Sequence, residues 1–128
     1  MKHIAFDIGA ESGRAIVGEI SDGKLQMKEI HRFPTPSVRI NGSFRWDIHE
    51  LFAEIKNGLK KYSQLYGDAT CSMGVDTWGI DYGLLDRNGK LCDIPYHYRD
   101  KRTEGTTKII SEKLRGRRYS PDRKKVAR

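Results

Sequence analysis

Hydrophobic and polar positions alternate in three short runs over the beginning of the chain. Residues 3–8 (HIAFDI) have the apolar character of a buried strand, and residues 14–20 and 25–33 alternate and include several β-branched side chains. A glycine-bounded segment, residues 9–13, joins the first two runs, and residues 21–24 (SDGK) are typical of a tight turn. The pattern therefore predicts three consecutive antiparallel strands.

A helical pattern follows a proline-containing interval. Residues 34–45 are predicted to form an exposed excursion, because prolines interrupt the strand pattern there. Asp47 and Glu50 have the spacing of a capping box, which predicts the start of a helix. The helix is expected to end near Gly67. Its predicted apolar face consists of Ile48, Leu51, Phe52, Ile55, Leu59 and Tyr62.

The second half of the chain has weaker periodicity. Residues 71–77 and 80–86 are predicted strands, and residues 87–90 (RNGK) are typical of a turn. A polar loop follows Pro95, and a second helix is expected from about Glu104. Strands that flank a crossover helix predict an α/β domain with a mixed sheet.

The positive charge of the chain is concentrated at its end. Of the 24 Lys/Arg and 17 Asp/Glu residues, seven bases and one acid lie in residues 115–128, so this tail carries +6 of the net +7. Such a tail is expected to be solvated and disordered. A small basic nucleic-acid-binding protein is the alternative, but it would need aromatic side chains among the bases on a folded face. The tail offers only Tyr119.

The remaining composition gives expectations about location and redox state. Cys71 and Cys92 form no metal-binding or redox motif, so both are predicted to be free thiols. No apolar run approaches the ~20 residues of a membrane-spanning helix, and the chain begins with a strand pattern instead of a signal peptide. We expect a cytoplasmic protein with no membrane partner.

The first candidate for chemistry is the segment DIGAESGR, residues 7–14. A carboxylate, Asp7, ends the first predicted strand, and a glycine-containing turn follows it. Backbone N–H groups in such a turn can bind phosphate oxygens, and a neighbouring acid can hold Mg²⁺ through water. An ordinary hairpin turn explains the segment equally well. The segment matches neither the Walker A nor the dinucleotide-binding pattern.

The second candidate is GVDTWGIDYG, residues 74–83, which combines two acids, a hydroxyl group, two aromatic rings and three glycines. Stacking surfaces beside hydrogen-bonding groups are typical of sites for small polar ligands such as sugars. The alternative is two strands joined at Gly79, with Trp78 in the core. The third candidate, YHYRDKRT at residues 96–103, is also explained by a solvated loop with local ion pairs.

Together these segments resemble the FGGY carbohydrate kinases, and DIGAESGR resembles their first phosphate loop. The runs IHRFP, FRWDIHEL, GVDTWGIDYGLLDRNGKL and PYHYRDKRT are similar in order and spacing to the rhamnulokinase branch, over nearly all of residues 3–105. The resemblance implies an actin-like ATPase (ribonuclease H-like) fold. It also implies ATP-dependent transfer of a phosphoryl group to the 1-hydroxyl of a ketose. The favoured ketose is L-rhamnulose, and the alternative is the substrate of another FGGY sugar kinase.

The resemblance also implies a role for each matching residue. Asp7 would place Mg²⁺ through water. The loop around the ATP phosphates would consist of Ala10, Glu11, Ser12, Gly13 and Arg14. Gly79 would contact the sugar through its backbone, beside a wall formed by Asp76, Thr77 and Trp78. Arg99 and Asp100 would brace the sugar-side loop.

No residue of this chain is given the role of catalytic base, which the resemblance assigns to an Asp beyond this stretch. Residues 1–114 are therefore expected to be part of the first lobe of such a kinase, inactive alone. Similarity fades after Glu104, and residues 115–128 are interpreted as an out-of-frame continuation, a genuine basic tail or an artificial end. The expected partners are a small sugar and ATP, without nucleic acid, and the oligomeric state stays open.

Overall fold

The computed structural model describes residues 1–67 and 72–114. The predictions for Cys71 and for the tail at residues 115–128 lie outside the described residues. The strands are β1 (Lys2–Ile8), β2 (Ser12–Ser21), β3 (Lys24–Pro34), β4 (Ser37–Ile40), β5 (Ser43–Trp46) and β6 (Ser72–Thr77). The helices are α1 (Ile48–Tyr66) and α2 (Thr106–Leu114), with a 3₁₀ turn at Lys101–Thr103.

Four strands form a mixed sheet in the order β3-β2-β1-β6. The first three are antiparallel, whereas β6 pairs with β1 in parallel, with Ile8 opposite Thr77. A parallel pair requires a long connection, and α1 lies within the connection that leads to β6. The predicted antiparallel start and the predicted mixed α/β sheet are both confirmed.

One face of this sheet packs against α1 and forms the core. Alternate residues of β1 point to the helix, because side chains of a strand alternate between its two faces. The buried core residues are Ile4, Phe6 and Ile8 of β1, Ala15 and Val17 of β2, Phe33 of β3, and Leu51 and Tyr62 of α1. The other face, which carries Asp7, is left without a covering helix in the described part of the chain.

The backbone of α1 comes very close to the sheet at Gly58. A Cβ atom at this position would lie 2.6 Å from Cε1 of Phe6 and 3.2 Å from Cβ of Ala15. The absence of a side chain therefore lets the helix approach the sheet, which brings the start of α1 toward the ends of β1 and β6.

The ends of α1 agree with the capping signals in the sequence. Asp47 accepts a hydrogen bond from the backbone N–H of Glu50 at 3.1 Å. Gly67 follows the helix with φ at +68° and donates its N–H to the carbonyl oxygen of Ser63. The predicted helix is confirmed, and so is the second helix, which begins at Thr106, two residues after the expected position.

The prediction of an exposed excursion at residues 34–45 is wrong. The interval forms the β4–β5 hairpin, and Thr35 and Arg45 are buried. Its turn is Asn41-Gly42, and both residues have positive φ, +49° and +81°. This dipeptide is the strongest short-range hairpin signal, and it outweighs the interruption by the prolines.

The prediction of a strand at residues 80–86 is also wrong. This segment makes only an isolated bridge between Leu85 and Leu91. The turn that follows is confirmed, because the Asp86 side chain accepts from the N–H groups of Asn88 and Lys90. Among the described helices, none is long and apolar enough to cross a membrane.

Candidate functional site

The carboxyl ends of β1 and β6 lie side by side. The register pairs Ile8 with Thr77, so the loop at residues 9–13 and the pair Trp78-Gly79 leave the sheet from the same edge. In open α/β sheets, ligands bind beyond the carboxyl ends of the strands. The first two candidate motifs therefore meet at the position where such a fold places a ligand.

The loop at residues 9–13 is held by backbone hydrogen bonds. The N–H of Gly9 donates to the carbonyl of Ser12 at 3.0 Å, and the N–H of Thr35 donates to the carbonyl of Glu11 at 3.2 Å. Ala10, Glu11 and Ser12 are exposed, so this loop is accessible from solvent although two of its carbonyls accept backbone hydrogen bonds. Gly13 instead lies under the Phe33 ring, where a Cβ atom would be only 2.3 Å from Cε2.

Asp7 lies on the open face of the sheet and pairs with Arg14 across β1 and β2. The Arg14 guanidinium donates twice to Oδ2 of Asp7, from Nε at 2.9 Å and from the terminal nitrogen at 2.7 Å. Both side chains are more than two-fifths exposed. Asp76 is the register partner of Asp7 on its other side, which places two acids and one base in a row across adjacent strands.

The described residues contain no group of three His, Cys, Asp or Glu side chains that could hold a metal by themselves. Mg²⁺ needs fewer protein ligands than that, because it is usually bound through one or two carboxylates, water and substrate phosphates. The paired positions of Asp7 and Asp76 fit this requirement, and the phosphate-loop candidate begins two residues after Asp7.

The predicted sugar wall is divided between the two faces of the sheet. Asp76 lies beside Asp7 on the open face, whereas Thr77 and Trp78 border a groove of about 760 Å³ between α1 and residues 81–95. The structure therefore brings Thr77 and Trp78 together near Gly79. It separates Thr77 from Asp76, because neighbouring residues of a strand point to opposite faces.

Trp78 belongs to a stack of aromatic rings. Its ring lies 4.2 Å from that of Trp46, between centroids, and Trp46 stacks at 3.9 Å on His97. The stack continues from His97 to Phe44 at 4.4 Å. Trp46 and His97 are 2% and 4% exposed, so the stack forms a rigid wall below Trp78.

Burial also determines the charge of His97. It lowers the pKa of His97 below its ordinary value, and the nearby Asp81 carboxylate offsets this only in part. Nδ1 of His97 accepts from the N–H of Arg99 at 2.9 Å, which requires an unprotonated Nδ1. The ring is therefore neutral near pH 7 and acts as a stacking partner, because its ordinary pKa is about 6.5.

Asp81 connects the stack to the loop behind it. Its Oδ2 atom accepts from Nε1 of Trp46 at 2.5 Å and from the backbone N–H of Tyr98 at 3.2 Å. The residue lies two positions after Gly79, between the groove and a smaller cavity of about 160 Å³. One carboxylate thus fixes both the indole and the third candidate motif.

The third motif is a folded wall instead of a solvated loop. Asp100 is buried and accepts from the N–H groups of Phe44 at 2.5 Å and Arg102 at 2.9 Å, and these bonds lower the pKa of its carboxyl. This geometry agrees with the bracing role expected for Asp100. Arg99 is exposed, with its guanidinium 5.2 Å from the Tyr98 ring centroid.

Arg45 attaches the same wall to β5. Its guanidinium donates to Asp93 at 2.6 Å and to the carbonyl of Ile94 at 2.5 Å, and it lies 4.0 Å from the Tyr96 ring centroid. The hydrogen bond with Arg45 lowers the pKa of Asp93, and Asp93 raises the pKa of Arg45. Arg102 lies 4.0 Å from the same ring, so two cations hold Tyr96.

Gly79 is exposed, and nothing in the fold requires a glycine there. Its φ lies outside the left-handed region, and a Cβ atom would meet no atom within 4 Å. Among the described residues, neither backbone strain nor crowding accounts for the glycine, and the position leaves room for close approach by another group.

Sequence reasoning missed Trp46, His97 and Asp81 as parts of this site. The burial of Trp46 is not predicted, because the preceding residues 34–45 have the pattern of an exposed excursion. The signal that could have revealed it is the Asn41-Gly42 turn, which predicts a hairpin ending at Trp46.

Curated relatives match most of this chain. The rhamnulokinase of Halalkalibacterium halodurans is 47% identical over 111 residues, which are 87% of this chain and 23% of that protein. Those of Bacteroides thetaiotaomicron and Bacillus subtilis are 41% and 44% identical, over 86% and 89% of this chain. The chain spans less than a quarter of the length of these relatives.

Solved structures show the same fold at low identity. The xylulose kinase from Rhodospirillum rubrum superposes with a TM-score of 0.69 at 18% identity, over 88% of this chain and 23% of that one. The gluconate kinase from Lactobacillus acidophilus gives 0.64 at 14%, over 91% of this chain and 22% of that one. These similarities confirm the expected actin-like ATPase (ribonuclease H-like) fold over the part of it that the chain spans.

No family model matches the sequence. The pairwise matches agree with one another, because each named relative is a rhamnulokinase and is at least 41% identical to this chain. Over the part of their length that it spans, the chain is similar in sequence to these bacterial rhamnulokinases.

Proposed function

We propose that this chain is part of an ATP-dependent sugar kinase that phosphorylates a ketose, with L-rhamnulose as the first candidate. One geometric observation supports a kinase site in this segment. The phosphate-loop candidate and the Trp78-Gly79 pair leave the sheet at the same edge. The printed name shared by the curated relatives supports the choice of ketose.

In this proposal the two substrates meet beyond the carboxyl ends of β1 and β6, and each is contacted by different residues. Asp7 and Asp76 would hold the water shell of Mg²⁺ on the open face, and residues 10–14 would bind the ATP phosphates. Thr77, Trp78 and the backbone of Gly79 would contact the sugar. Bound Mg²⁺ would neutralise phosphate charge, as in phosphoryl transfer generally. Asp76 is thereby proposed for the phosphate side and not for the sugar wall.

A hybrid kinase tests the proposal. The matched 111-residue segment of this chain would replace its counterpart in the H. halodurans rhamnulokinase. We expect sugar-dependent ADP release with MgATP and the highest kcat/KM for L-rhamnulose among L-rhamnulose, L-fuculose, D-xylulose and glycerol. The parent enzyme is the control. A folded hybrid that prefers D-xylulose or glycerol, or phosphorylates none of them, would contradict the proposal.

Gly79→Val in the hybrid kinase should raise the KM for the ketose on the order of tenfold and leave the KM for ATP within about twofold. The new side chain would occupy space where the sugar approaches, and it meets no atom of the chain itself. The unfolding temperature should therefore stay unchanged. The measurement is steady-state kinetics with each substrate varied in turn.

Gly74→Val is the matched control for this substitution. Gly74 is also exposed, and a Cβ atom there also meets nothing within 4 Å, but it lies inside β6 and away from the strand end. It should leave the ketose KM unaltered. Equal loss of ketose and ATP binding in Gly79→Val, with a lower unfolding temperature, would instead show that Gly79 has a structural role.

A further inference from the structure

Three separate segments of the chain meet at one carboxylate oxygen beside Gly79. Oδ2 of Asp81 accepts from Nε1 of Trp46, the last residue of β5, and from the backbone N–H of Tyr98 in the loop after Pro95. Asp81 itself belongs to the segment after β6. The three segments are thus joined at the base of the ketose side of the site.

Water cannot replace Asp81 as the hydrogen-bond acceptor for the indole N–H of Trp46. The Trp46 ring is 2% exposed, so its indole N–H depends on an acceptor inside the protein. A buried donor that loses its acceptor is costly, and the indole would shift to find another partner. Any shift of Trp46 passes to Trp78, because the two rings stack at 4.2 Å with an interplanar angle of 25°.

We propose that Asp81 is a positioning residue for the ketose, which holds Trp78 and Gly79 in place through the indole of Trp46. The inference rests on the proposed function, because that function assigns the ketose to the Trp78-Gly79 side. Asp81 acts through Trp46 and the Tyr98 backbone. Asp81 supplies a hydrogen-bond acceptor at a fixed position. Its role in ketose binding therefore depends on the carbonyl-type oxygen and not on the negative charge.

The phosphate side of the site is independent of this arrangement. The loop at residues 9–13 is held by the Gly9–Ser12 and Thr35–Glu11 backbone bonds, and Asp7 is held by Arg14. None of these contacts includes Asp81, Trp46 or Tyr98. Loss of the Asp81 acceptor should therefore weaken ketose binding and leave ATP binding unchanged. A general loss of stability would weaken the binding of both substrates.

Two substitutions in the hybrid kinase separate the acceptor from the charge. Asp81→Leu keeps a similar shape but removes the acceptor, and we expect the ketose KM to rise on the order of tenfold, or ~1.4 kcal/mol. The ATP KM should stay within about twofold. Asp81→Asn removes the charge but keeps a carbonyl oxygen for Trp46, and should restore most of the ketose affinity.

Asp93→Asn is the control, because it removes a carboxylate from the same wall that pairs with Arg45 instead of Trp46. It should leave the ketose KM near the parent value. A parallel rise of both KM values in Asp81→Leu, or an Asn variant as impaired as the Leu variant, would overturn the proposal.

A spectroscopic readout on the 128-residue chain keeps this inference separate from the proposed function. The only two tryptophans are Trp46 and Trp78, so near-ultraviolet circular dichroism reports on their stacking. Asp81→Leu should reduce the signal and Asp81→Asn should retain it. If the parent hybrid phosphorylates no ketose, the proposed function fails. Independently of that result, an unchanged spectrum in Asp81→Leu would show that Asp81 does not fix the positions of the two indole rings. That outcome would refute the inference.

Discussion

Asp7→Asn in the hybrid kinase should lower kcat by a factor on the order of 10²–10³, the effect of removing one preorganised electrostatic contact. Asp7 is the second-last residue of β1, near the candidate phosphate loop, and its register partner on β6 is Asp76. The substitution keeps the size of the side chain and removes half of the paired negative charge. The measurement is turnover at saturating ketose and ATP over a series of Mg²⁺ concentrations.

Arg14 makes this experiment more informative. It donates twice to the Asp7 carboxylate, so Asn at position 7 also releases a guanidinium beside the phosphate loop. If Asp7 acts on the metal, the loss of kcat should be reduced at high Mg²⁺ and should exceed any change in the ketose KM. Asp22→Asn, in the exposed β2–β3 turn, is the charge-matched control. Near-normal turnover of the Asp7 variant at every Mg²⁺ concentration, or a loss of kcat that high Mg²⁺ does not reduce, would remove Asp7 from the metal role.

Periodicity was sufficient to predict the sheet and the helix. Strands β1–β3 are joined by short turns with strong local signals, and α1 carries both a capping box and a continuous apolar face. Each of these features depends on neighbours in sequence. Even the helix residue Gly58, which carries no apolar side chain, fits the prediction, because it lies on the buried face of the predicted helix.

The site could be predicted only in part, because its geometry depends on contacts between distant segments. DIGAESGR and GVDTWGIDYG could be recognised as candidate motifs, but their meeting at one edge results from the β1–β6 register. The separation of Asp76 from Thr77 follows from the same register. The segment at residues 80–86 fits a strand pattern, yet the Asp81 side chain bonds to Trp46 and Tyr98, 35 and 17 residues away, and the segment stays irregular.

The two sides of the site are supported by different kinds of structure. The phosphate side rests on strands whose backbone hydrogen bonds fix it, and its side chains are partly exposed and charged. The ketose side rests on packed rings and on buried polar groups such as Asp100 and Arg45, each bonded to a backbone group of another segment. Substitution of one of these packed rings or buried polar groups should therefore combine effects on affinity with effects on local order.

The purified 128-residue chain should show no sugar-dependent ADP release with L-rhamnulose and MgATP. Phosphoryl transfer requires the nucleotide, the metal and an activated hydroxyl to be placed together. The described residues include the candidate phosphate loop and one candidate wall of a ketose site, and the family resemblance assigns the catalytic base to none of them. Asp76 and Asp81 are the nearest carboxylates, but Asp76 lies beside Asp7 on the open face of the sheet, and Asp81 accepts from Trp46.

The open surface of the chain supports the same expectation. The groove beside Trp78 is bordered by exposed apolar side chains, including Phe52 at 59% and Leu85 at 62%, so water enters the site freely and the chain should tend to associate. A water-filled site weakens the electrostatic interactions on which phosphoryl transfer depends. The control is the hybrid kinase, assayed in the same coupled reaction. Turnover by the chain within about tenfold of the hybrid, a barrier difference under ~1.4 kcal/mol, would show that the described residues already contain the complete active site.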